Sequence, residues 1–204
     1  MNIEITNKET IEELLRTTKR QGIEDLLHLM DINGFYTAPC SSKYHLAKPG
    51  GLAEHSLNVY RTALAIASKL YAYPNKLTQE MLDSIVICTL LHDLGKAGQF
   101  GKPNYRRVLK PQAEITAEFI VDGFDSLDPE SIGFETNKDL LYIPHEVRSV
   151  AIASQYIDLT EEEQFAITYH NGLYGELKGF KGKETPLQMI LHFADMWASR
   201  VVEY

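Results

Sequence analysis

The feature that most constrains the fold is the stretch from Ile85 to Lys96, in which a run of apolar residues is followed directly by two adjacent ionisable side chains. Its almost unbroken run of apolar residues predicts a helix that is buried on most sides and ends before Gly95. His92 and Asp93 lie side by side within this buried stretch. Burying them without partners would cost several kcal/mol, and a metal cation held by both would remove that cost. The other ligands of such a cation must come from elsewhere in the chain.

The composition is that of an ordinary globular chain. Of 204 residues, 44% are hydrophobic and 24% are charged, which predicts one domain over 1–204 with a sizeable core. No apolar stretch approaches the roughly 20 residues of a membrane span, and the N-terminus lacks the basic-then-apolar layout of a signal peptide. We therefore expect a cytoplasmic protein that does not contact a membrane.

Charge and cysteine content narrow the possible partners. The formal net charge of -8 disfavours a long nucleic acid, because affinity for a duplex comes largely from lysine and arginine side chains. Cys40 and Cys88 are too few for a disulfide framework, and we expect neither to bind metal or to act as a nucleophile. A small anionic substrate remains compatible with the charge, and the oligomeric state stays open.

Helical signals recur along the whole chain. Residues 1–34 are expected to form a helical hairpin that packs on a core spanning 52–200. No segment shows the period-two alternation of a strand over more than a few residues. Capping boxes mark three helix starts, at Thr6, Thr160 and Thr185. The sequence predicts an all-α fold, a single bundle of about seven or eight helices.

Loops are expected between these helices. A moderate helix is predicted over 112–121, between two of the loops. The four loop segments are 35–51, 96–111, 122–144 and 172–184. The second of them carries Lys102, Arg106, Arg107 and Lys110 in an otherwise acidic chain. This charge run indicates either a solvated face or a phosphate-binding loop.

Six imidazoles and carboxylates lie at inward positions or helix ends of the predicted bundle. They are His55, His92, Asp93, His145, His170 and Asp195. Each of these residues alone is more simply a hydrogen-bonded core residue, but as a set they offer a common site. Their donors are nitrogen and oxygen, which favours iron, manganese, cobalt, nickel or zinc over calcium or a soft metal. We therefore expect one or two divalent transition metal ions.

The order of these residues resembles the signature of the HD-domain superfamily of metal-dependent phosphohydrolases. The strings GGLAEH at 50–55, HDLGK at 92–96 and FAD at 193–195 are similar to its motifs, over roughly residues 52–200. The resemblance implies an all-α fold in which four residues bind the first metal. These four are His55, His92, Asp93 and Asp195.

Two further histidines extend the resemblance to the two-metal branches of the superfamily. It implies that His145 and His170 bind a second metal and that Asp93 bridges the two ions. The cyclic-dinucleotide phosphodiesterase branch has another histidine after the position of His170 and a Gly-Tyr-Pro motif. This chain has Asn171 there and lacks the motif, so the resemblance does not extend to that activity.

Side chains near the expected ligands are candidates for catalysis. Lys96 and Arg148 could contact a phosphate, and Glu54 could orient a ligand or a water. Their alternatives are a cation at a helix C-terminus, an internal ion pair and a surface carboxylate, respectively. His45 could line the pocket. The predicted substrate-binding residues are Lys96, Arg106, Arg107, Arg148 and Tyr44.

The leading functional hypothesis is a phosphohydrolase that cleaves a phosphoester or phosphoanhydride of a small substrate with metal-activated water. The resemblance implies that the substrate is a nucleotide. The ligand order also resembles myo-inositol oxygenase, so a mixed-valent di-iron oxygenase is the first alternative. A non-catalytic nucleotide-binding sensor is the second. Iron content with oxygen consumption would select the oxygenase, and turnover on phosphorylated compounds would exclude the sensor.

Overall fold

The computed structural model describes residues 6–72, 76–111, 123–175 and 182–203. The α-helices in these ranges are α1 (Asn7–Thr17), α2 (Ile23–Ile32), α3 (Gly51–Ile66), α4 (Gln79–Leu91), α5 (His145–Ala153), α6 (Glu161–Thr168) and α7 (Pro186–Trp197). The strands are β1 (Gly98–Gln99), β2 (Lys102–Pro103), β3 (Tyr105–Leu109) and β4 (Ile132–Thr136). The chain is predominantly helical, which confirms the predicted fold class. The helix predicted over 112–121 lies outside the described residues.

The threonine caps largely follow the sequence prediction. The boxes at Thr6 and Thr160 are complete. In each, the threonine hydroxyl accepts from the backbone N–H of the glutamate three residues later, and the carboxylate of that glutamate accepts from the backbone N–H of the threonine. The hydroxyl of Thr185 also accepts from the backbone of Gln188. The Gln188 amide, however, donates to the carbonyl of Tyr169 at 2.9 Å instead of returning to the cap. This third capping box is therefore incomplete, and the glutamine links α7 to the end of α6.

Helices α3 and α4 form the centre of the core. α3 packs along both α4 and α7. Every residue of α4 from Ile85 to Leu91 is buried, as the apolar run predicts. The helix ends at Leu91, so His92 and Asp93 leave it at the point where the chain turns. Among the described residues, no helix is long and apolar enough to cross a membrane.

The N-terminal hairpin packs on this core through α1, which contacts both α3 and α4. The connection between α1 and α2 is held by Arg20, whose guanidinium donates to the carboxylate of Glu163 at 2.5 and 3.0 Å. Ser84 of α4 donates to the same carboxylate at 2.7 Å. Because Glu163 is fully buried, this arrangement compensates a charge that would otherwise destabilise the fold. The outer limits of the hairpin and of the core remain predictions.

A small antiparallel ribbon corrects the loop predictions over 96–111 and 122–144. β3 pairs with β4 from Tyr105 opposite Thr136 to Leu109 opposite Ile132. The expectation of irregular structure was wrong for these residues. In β4 only Ile132 and Phe134 are buried, and two buried positions are too few to give a period-two signal in the sequence.

Helix α5 packs directly on the turn that follows His92 and Asp93. The backbone N–H of Gly95 donates to the Ser149 hydroxyl at 2.8 Å. A Cβ atom on Gly95 would lie 2.3 Å from the carbonyl oxygen of His145 and 2.9 Å from the Cβ atom of Arg148. A side chain cannot fit at that distance without a shift of the backbone. Glycine here therefore allows Asp93 and His145 to approach each other.

We predict that Gly95→Ala lowers the free energy of unfolding by about 2–4 kcal/mol, because the added methyl group must displace α5. Urea unfolding followed by circular dichroism measures the change. Gly101→Ala is the control, since an added Cβ there meets nothing within 4 Å and only the φ of +69° opposes it. Its expected cost is about 1–2 kcal/mol. A Gly95→Ala variant as stable as the wild type would contradict the close packing of α5 on this turn.

Candidate metal centre

The structure brings all six predicted ligands together at the centre of the bundle. His55 lies on α3, His92 and Asp93 follow α4, and His145 is the first residue of α5. His170 follows the end of α6, and Asp195 lies on α7. Four of the six are buried, whereas the side chains of His145 and Asp195 are partly exposed at 31% and 20%. The cluster is thus reachable from one side.

The carboxylate of Asp93 lies in the middle of the cluster and has a different pair of histidines on each oxygen. Oδ2 is 3.6 Å from Nε2 of His55 and 3.4 Å from Nε2 of His92. Oδ1 is 3.2 Å from Nε2 of His145 and 3.8 Å from Nε2 of His170. Asp195 joins the first pair, with Oδ1 at 3.2 Å from Nε2 of His55. The carboxylate therefore divides the ligands into two sets.

Backbone carbonyls orient two of the imidazoles. Nδ1 of His92 lies 2.9 Å from the carbonyl oxygen of Thr89. Nδ1 of His170 lies 2.7 Å from the carbonyl oxygen of Ile167. A carbonyl can only accept, so we assign the proton to Nδ1 in both rings. Each Nε2 then presents a lone pair to the cluster, as a metal-binding histidine requires.

Carboxylates orient the other two imidazoles in the same way. Nδ1 of His55 lies 2.9 and 3.0 Å from the two carboxylate oxygens of Glu203. Nδ1 of His145 lies 3.1 Å from Oε2 of Glu146. A carboxylate behind a histidine fixes the ring orientation and makes the opposite nitrogen a stronger ligand. All four Nε2 atoms are thus directed inward.

The centre contains polar atoms that a metal would satisfy. Within the described part of the chain, Nε2 of His55, Nε2 of His92 and Oδ1 of Asp93 are buried without a hydrogen-bond partner. Each such atom costs about 1–3 kcal/mol if it stays unpaired. Three groups of possible ligand atoms each have all their members within 4.8 Å of one another. They are His55–His92–Asp195, His92–Asp93–His170 and Cys40–His45–His55. Imidazole nitrogens and carboxylate oxygens at these separations can hold a divalent transition metal.

Burial opposes charge at this centre, and neighbouring groups decide which residues are charged. Burial lowers the pKa of His170 to about 3, so its imidazole is neutral. For Asp93 burial is outweighed by Lys96, His92 and His145, which hold its pKa well below the ordinary value. For His55 burial is also outweighed, and the neighbouring Cys40, Asp195 and Glu203 hold its pKa well above the ordinary value. Without a metal, His55 therefore binds a proton.

The predicted catalytic residue Lys96 lies inside the cluster. Its Nζ atom is 2.6 Å from Oδ2 of Asp93 and 3.9 Å from Sγ of Cys40. Burial works against its charge, but Asp93 raises the pKa of Lys96 above the ordinary value. The side chain remains 16% exposed. Lys96 is thus a fixed cation that partly offsets the Asp93 carboxylate and can still contact a substrate.

The other two predicted catalytic residues have different surroundings. Arg148 is buried, and its guanidinium donates to Oε1 of Gln99 at 2.9 Å and to the carbonyl of Leu141 at 2.7 Å. These bonds link α5 to β1 and to the segment before α5, although Arg148 also lines a cavity shared with Lys96. Glu54 forms an ion pair with Lys48 at 2.7 Å. Within the described residues, the Glu54 carboxylate forms no hydrogen bond or ion pair with the six ligands.

The remaining predicted substrate-binding residues are spread over the surface. Arg106 pairs with Asp139 on the ribbon. Arg106 and Arg107 line a cavity that none of the six ligands lines. Tyr44 is 82% exposed and lines a separate cavity with His45 and Glu203. Of the substrate-binding set, Lys96 alone among the described residues contacts the ligand cluster.

Two features of the site were missed by the sequence reasoning. Glu203 binds His55, although Glu203 lies eight residues after the ligand Asp195 and would face another direction in a regular α-helix. The wide π-helical turn over Ala198–Val202 changes the helical register and brings Glu203 to His55. Cys40 was expected neither to bind metal nor to act as a nucleophile. The structure places its Sγ atom 3.2 Å from Nε2 of His45, beside the cluster. The sequence contains no signal for either contact, because both depend on how distant segments pack.

Helical packing around a buried histidine and aspartate cluster defines the class of protein. The family model of the HD domain matches residues 52–197. The chain therefore belongs to the HD domain family, which confirms the resemblance seen in the sequence. That superfamily consists largely of metal-dependent phosphohydrolases. No curated protein and no solved structure matches the chain.

We predict that Glu203→Gln weakens metal binding about 10- to 100-fold, since an amide is a poorer acceptor for Nδ1 of His55 than a carboxylate. Competition with a chromophoric chelator measures the affinity. Glu24→Gln is the matched control, because Glu24 is an exposed carboxylate on α2 that pairs with Arg16. Equal affinities of wild type and Glu203→Gln would show that Glu203 does not support the centre.

The raised pKa of His55 predicts that metal binding releases a proton. A metal must displace that proton, so affinity should rise about tenfold per pH unit below the pKa of His55 and become constant above it. His170, with its pKa of about 3, adds no dependence near neutral pH. Calorimetry in buffers of different ionisation enthalpy counts the released protons. An affinity that falls as the pH rises toward neutrality would contradict the assignment.

Proposed function

We propose that this protein is a metal-dependent phosphohydrolase with two metal sites that share Asp93. The observation that supports this most strongly is the position of the Asp93 carboxylate, whose two oxygens face different histidine pairs. One site would consist of His55, His92, Asp93 and Asp195. The other would consist of Asp93, His145 and His170. The Asp93 carboxylate would then contribute to both sites, an arrangement suited to two-metal phosphoester hydrolysis.

The chemistry of phosphoester hydrolysis fits these residues. Bound divalent ions lower the pKa of water and offset charge on a phosphoryl group. In the proposed reaction the oxygen of water forms a bond to phosphorus and gives up one proton. The bond from phosphorus to the leaving oxygen breaks, and the leaving oxygen takes up a proton in exchange. The ammonium of Lys96, held at 2.6 Å from Asp93, would stabilise negative charge that grows on the phosphoryl oxygens.

The space beside the ligands supports a small substrate. A cavity of about 180 Å³ is lined by His145, His170 and Asp195 together with Lys96. It shares His45, Ser199 and Arg200 with a larger cavity of about 700 Å³. Ligand pockets for small molecules commonly occupy about 300–1,000 Å³. We propose a small phosphorylated substrate, and a nucleotide in particular.

The proposal predicts anaerobic release of phosphate from a panel of nucleotides by protein loaded with manganese or cobalt. Asp93→Ala should reduce the rate to the level of the uncatalysed reaction, because it removes a ligand of both sites. A colorimetric phosphate assay measures the rate, and metal analysis reports ion content. Asp83→Ala, at a partly exposed position on α4, is the control and should keep the wild-type rate.

Two other outcomes would contradict this proposal and identify a different function. Oxygen consumption by iron-loaded protein, without phosphate release under anaerobic conditions, would identify the oxygenase alternative. Binding of a nucleotide with metal present and without turnover of any compound would identify a sensor. Both assays use the same preparations, so one set of experiments separates the three functions.

A further inference from the structure

Most cations around the metal centre already have partners. Lys96 is bound to Asp93, and Arg148 donates to Gln99 and to the carbonyl of Leu141. A phosphate that enters the cavity beside the ligands carries about two negative charges at neutral pH. A further cation that faces this cavity is therefore the best candidate to hold it.

Arg200 has the required position. It lines both the cavity of about 180 Å³ that contains three of the ligands and the adjoining cavity of about 700 Å³. Its guanidinium carbon lies 5.5 Å from the centre of the Tyr174 ring, a cation–π contact that orients the side chain. Among the described residues, no carboxylate forms an ion pair with Arg200. Its charge is thus available to an anion.

The backbone explains how Arg200 reaches this place. The π-helical turn Ala198–Val202 directly follows α7 and closes with a bond from the N–H of Glu203 to the carbonyl of Ala198 at 3.1 Å. The hydroxyl of Ser199 donates to the carbonyl of Asp195 at 2.8 Å. Ser199 and Arg200 thereby line the same cavity as the ligand Asp195. Such turns are frequent at functional sites.

The larger cavity provides room for the rest of a substrate. Besides Arg200 it is lined by Lys43, Tyr44 and His45 on the loop before α3. The loop is fixed here, because the backbone N–H of Tyr44 donates to the Ser41 hydroxyl at 2.8 Å. The Tyr44 ring is exposed and can stack on a planar group. A nucleoside fits a volume of this size and has both a planar base and a polar sugar.

We propose that Arg200 is the residue that binds the substrate phosphate in the smaller cavity, and that the nucleoside lies in the larger cavity against Tyr44. The ligand is a nucleoside monophosphate or a larger nucleotide. This inference rests on the proposed function for the kind of substrate, but it concerns binding and can be tested without turnover. Arg200 suits the role because guanidinium binds phosphate through two parallel hydrogen bonds.

Calorimetry on the metal-loaded protein tests the proposal with two probes, inorganic phosphate and adenosine 5′-monophosphate. Arg200→Ala should weaken both about 10- to 100-fold, the loss expected for a charge-assisted hydrogen bond. Tyr44→Ala should weaken only the binding of the nucleotide, because the proposal places the phosphate in the smaller cavity, which Tyr44 does not line. Arg61→Ala is the control, since this exposed arginine on α3 contacts Asn58. Metal analysis accompanies every variant.

Each possible result either supports or overturns the role of Arg200 in phosphate binding. Unchanged phosphate affinity in Arg200→Ala, at unchanged metal content, overturns the inference, and so does a wild type that binds neither probe. If Arg200→Ala loses metal, Arg200→Lys is compared with the wild type instead. Lysine keeps the charge but cannot form the two parallel hydrogen bonds, so wild-type affinity of Arg200→Lys for both probes overturns the inference. Loss of phosphate binding in Arg200→Ala together with a wild type that hydrolyses nothing supports Arg200 and refutes the hydrolase. The two proposals can thus fail separately.

Discussion

The buried charge of Asp93 is the constraint on which the rest of the structure depends. Its carboxylate is 1% exposed and lies among four imidazoles. A carboxylate in such a place destabilises a fold by several kcal/mol unless cations compensate it. Lys96 supplies one positive charge on Oδ2. Inward-facing imidazole nitrogens surround the same carboxylate, and this combination of donors is the one that a divalent ion completes.

Helix ends provide the geometry of this centre. α4 ends at Leu91, so that His92 and Asp93 lie in the interior directly after it. α5 begins at His145, which faces Asp93 from the other helix. The close packing at Gly95 holds these two ends together. The same contacts that form the core therefore position the ligands. Metal binding and folding stability should consequently be coupled, as in other proteins whose sites exist only in the folded chain.

Sequence patterns were sufficient for the fold class and for the convergence of the six ligand candidates. The apolar run and the helical spacing of His55 placed both on buried faces, and the ordered motifs joined them to the later residues. Glu203 could not be found in this way. In a regular α-helix, eight residues correspond to about 80° beyond two full turns, so Glu203 would point away from Asp195. The π-helical turn that corrects this depends on tertiary packing.

Residues that act through contacts between distant segments were also beyond the sequence. Arg148 looked like a phosphate contact, but its partners are Gln99 and a backbone carbonyl on another segment. Arg106 on the predicted basic loop belongs to a ribbon with a buried face too short to recognise. Sequence periodicity reports which face of an element is buried. It does not report which polar group a side chain finds once the elements have packed.

The most direct test of the proposed two-metal centre is a crystal structure of the metal-loaded protein with ions located by anomalous diffraction. The account predicts two ions about 3.5–4 Å apart, one on each oxygen of Asp93. One ion should contact His55, His92 and Asp195, and the other should contact His145 and His170. A single ion that leaves His145 and His170 without a metal, or ions that do not touch Asp93, would contradict it.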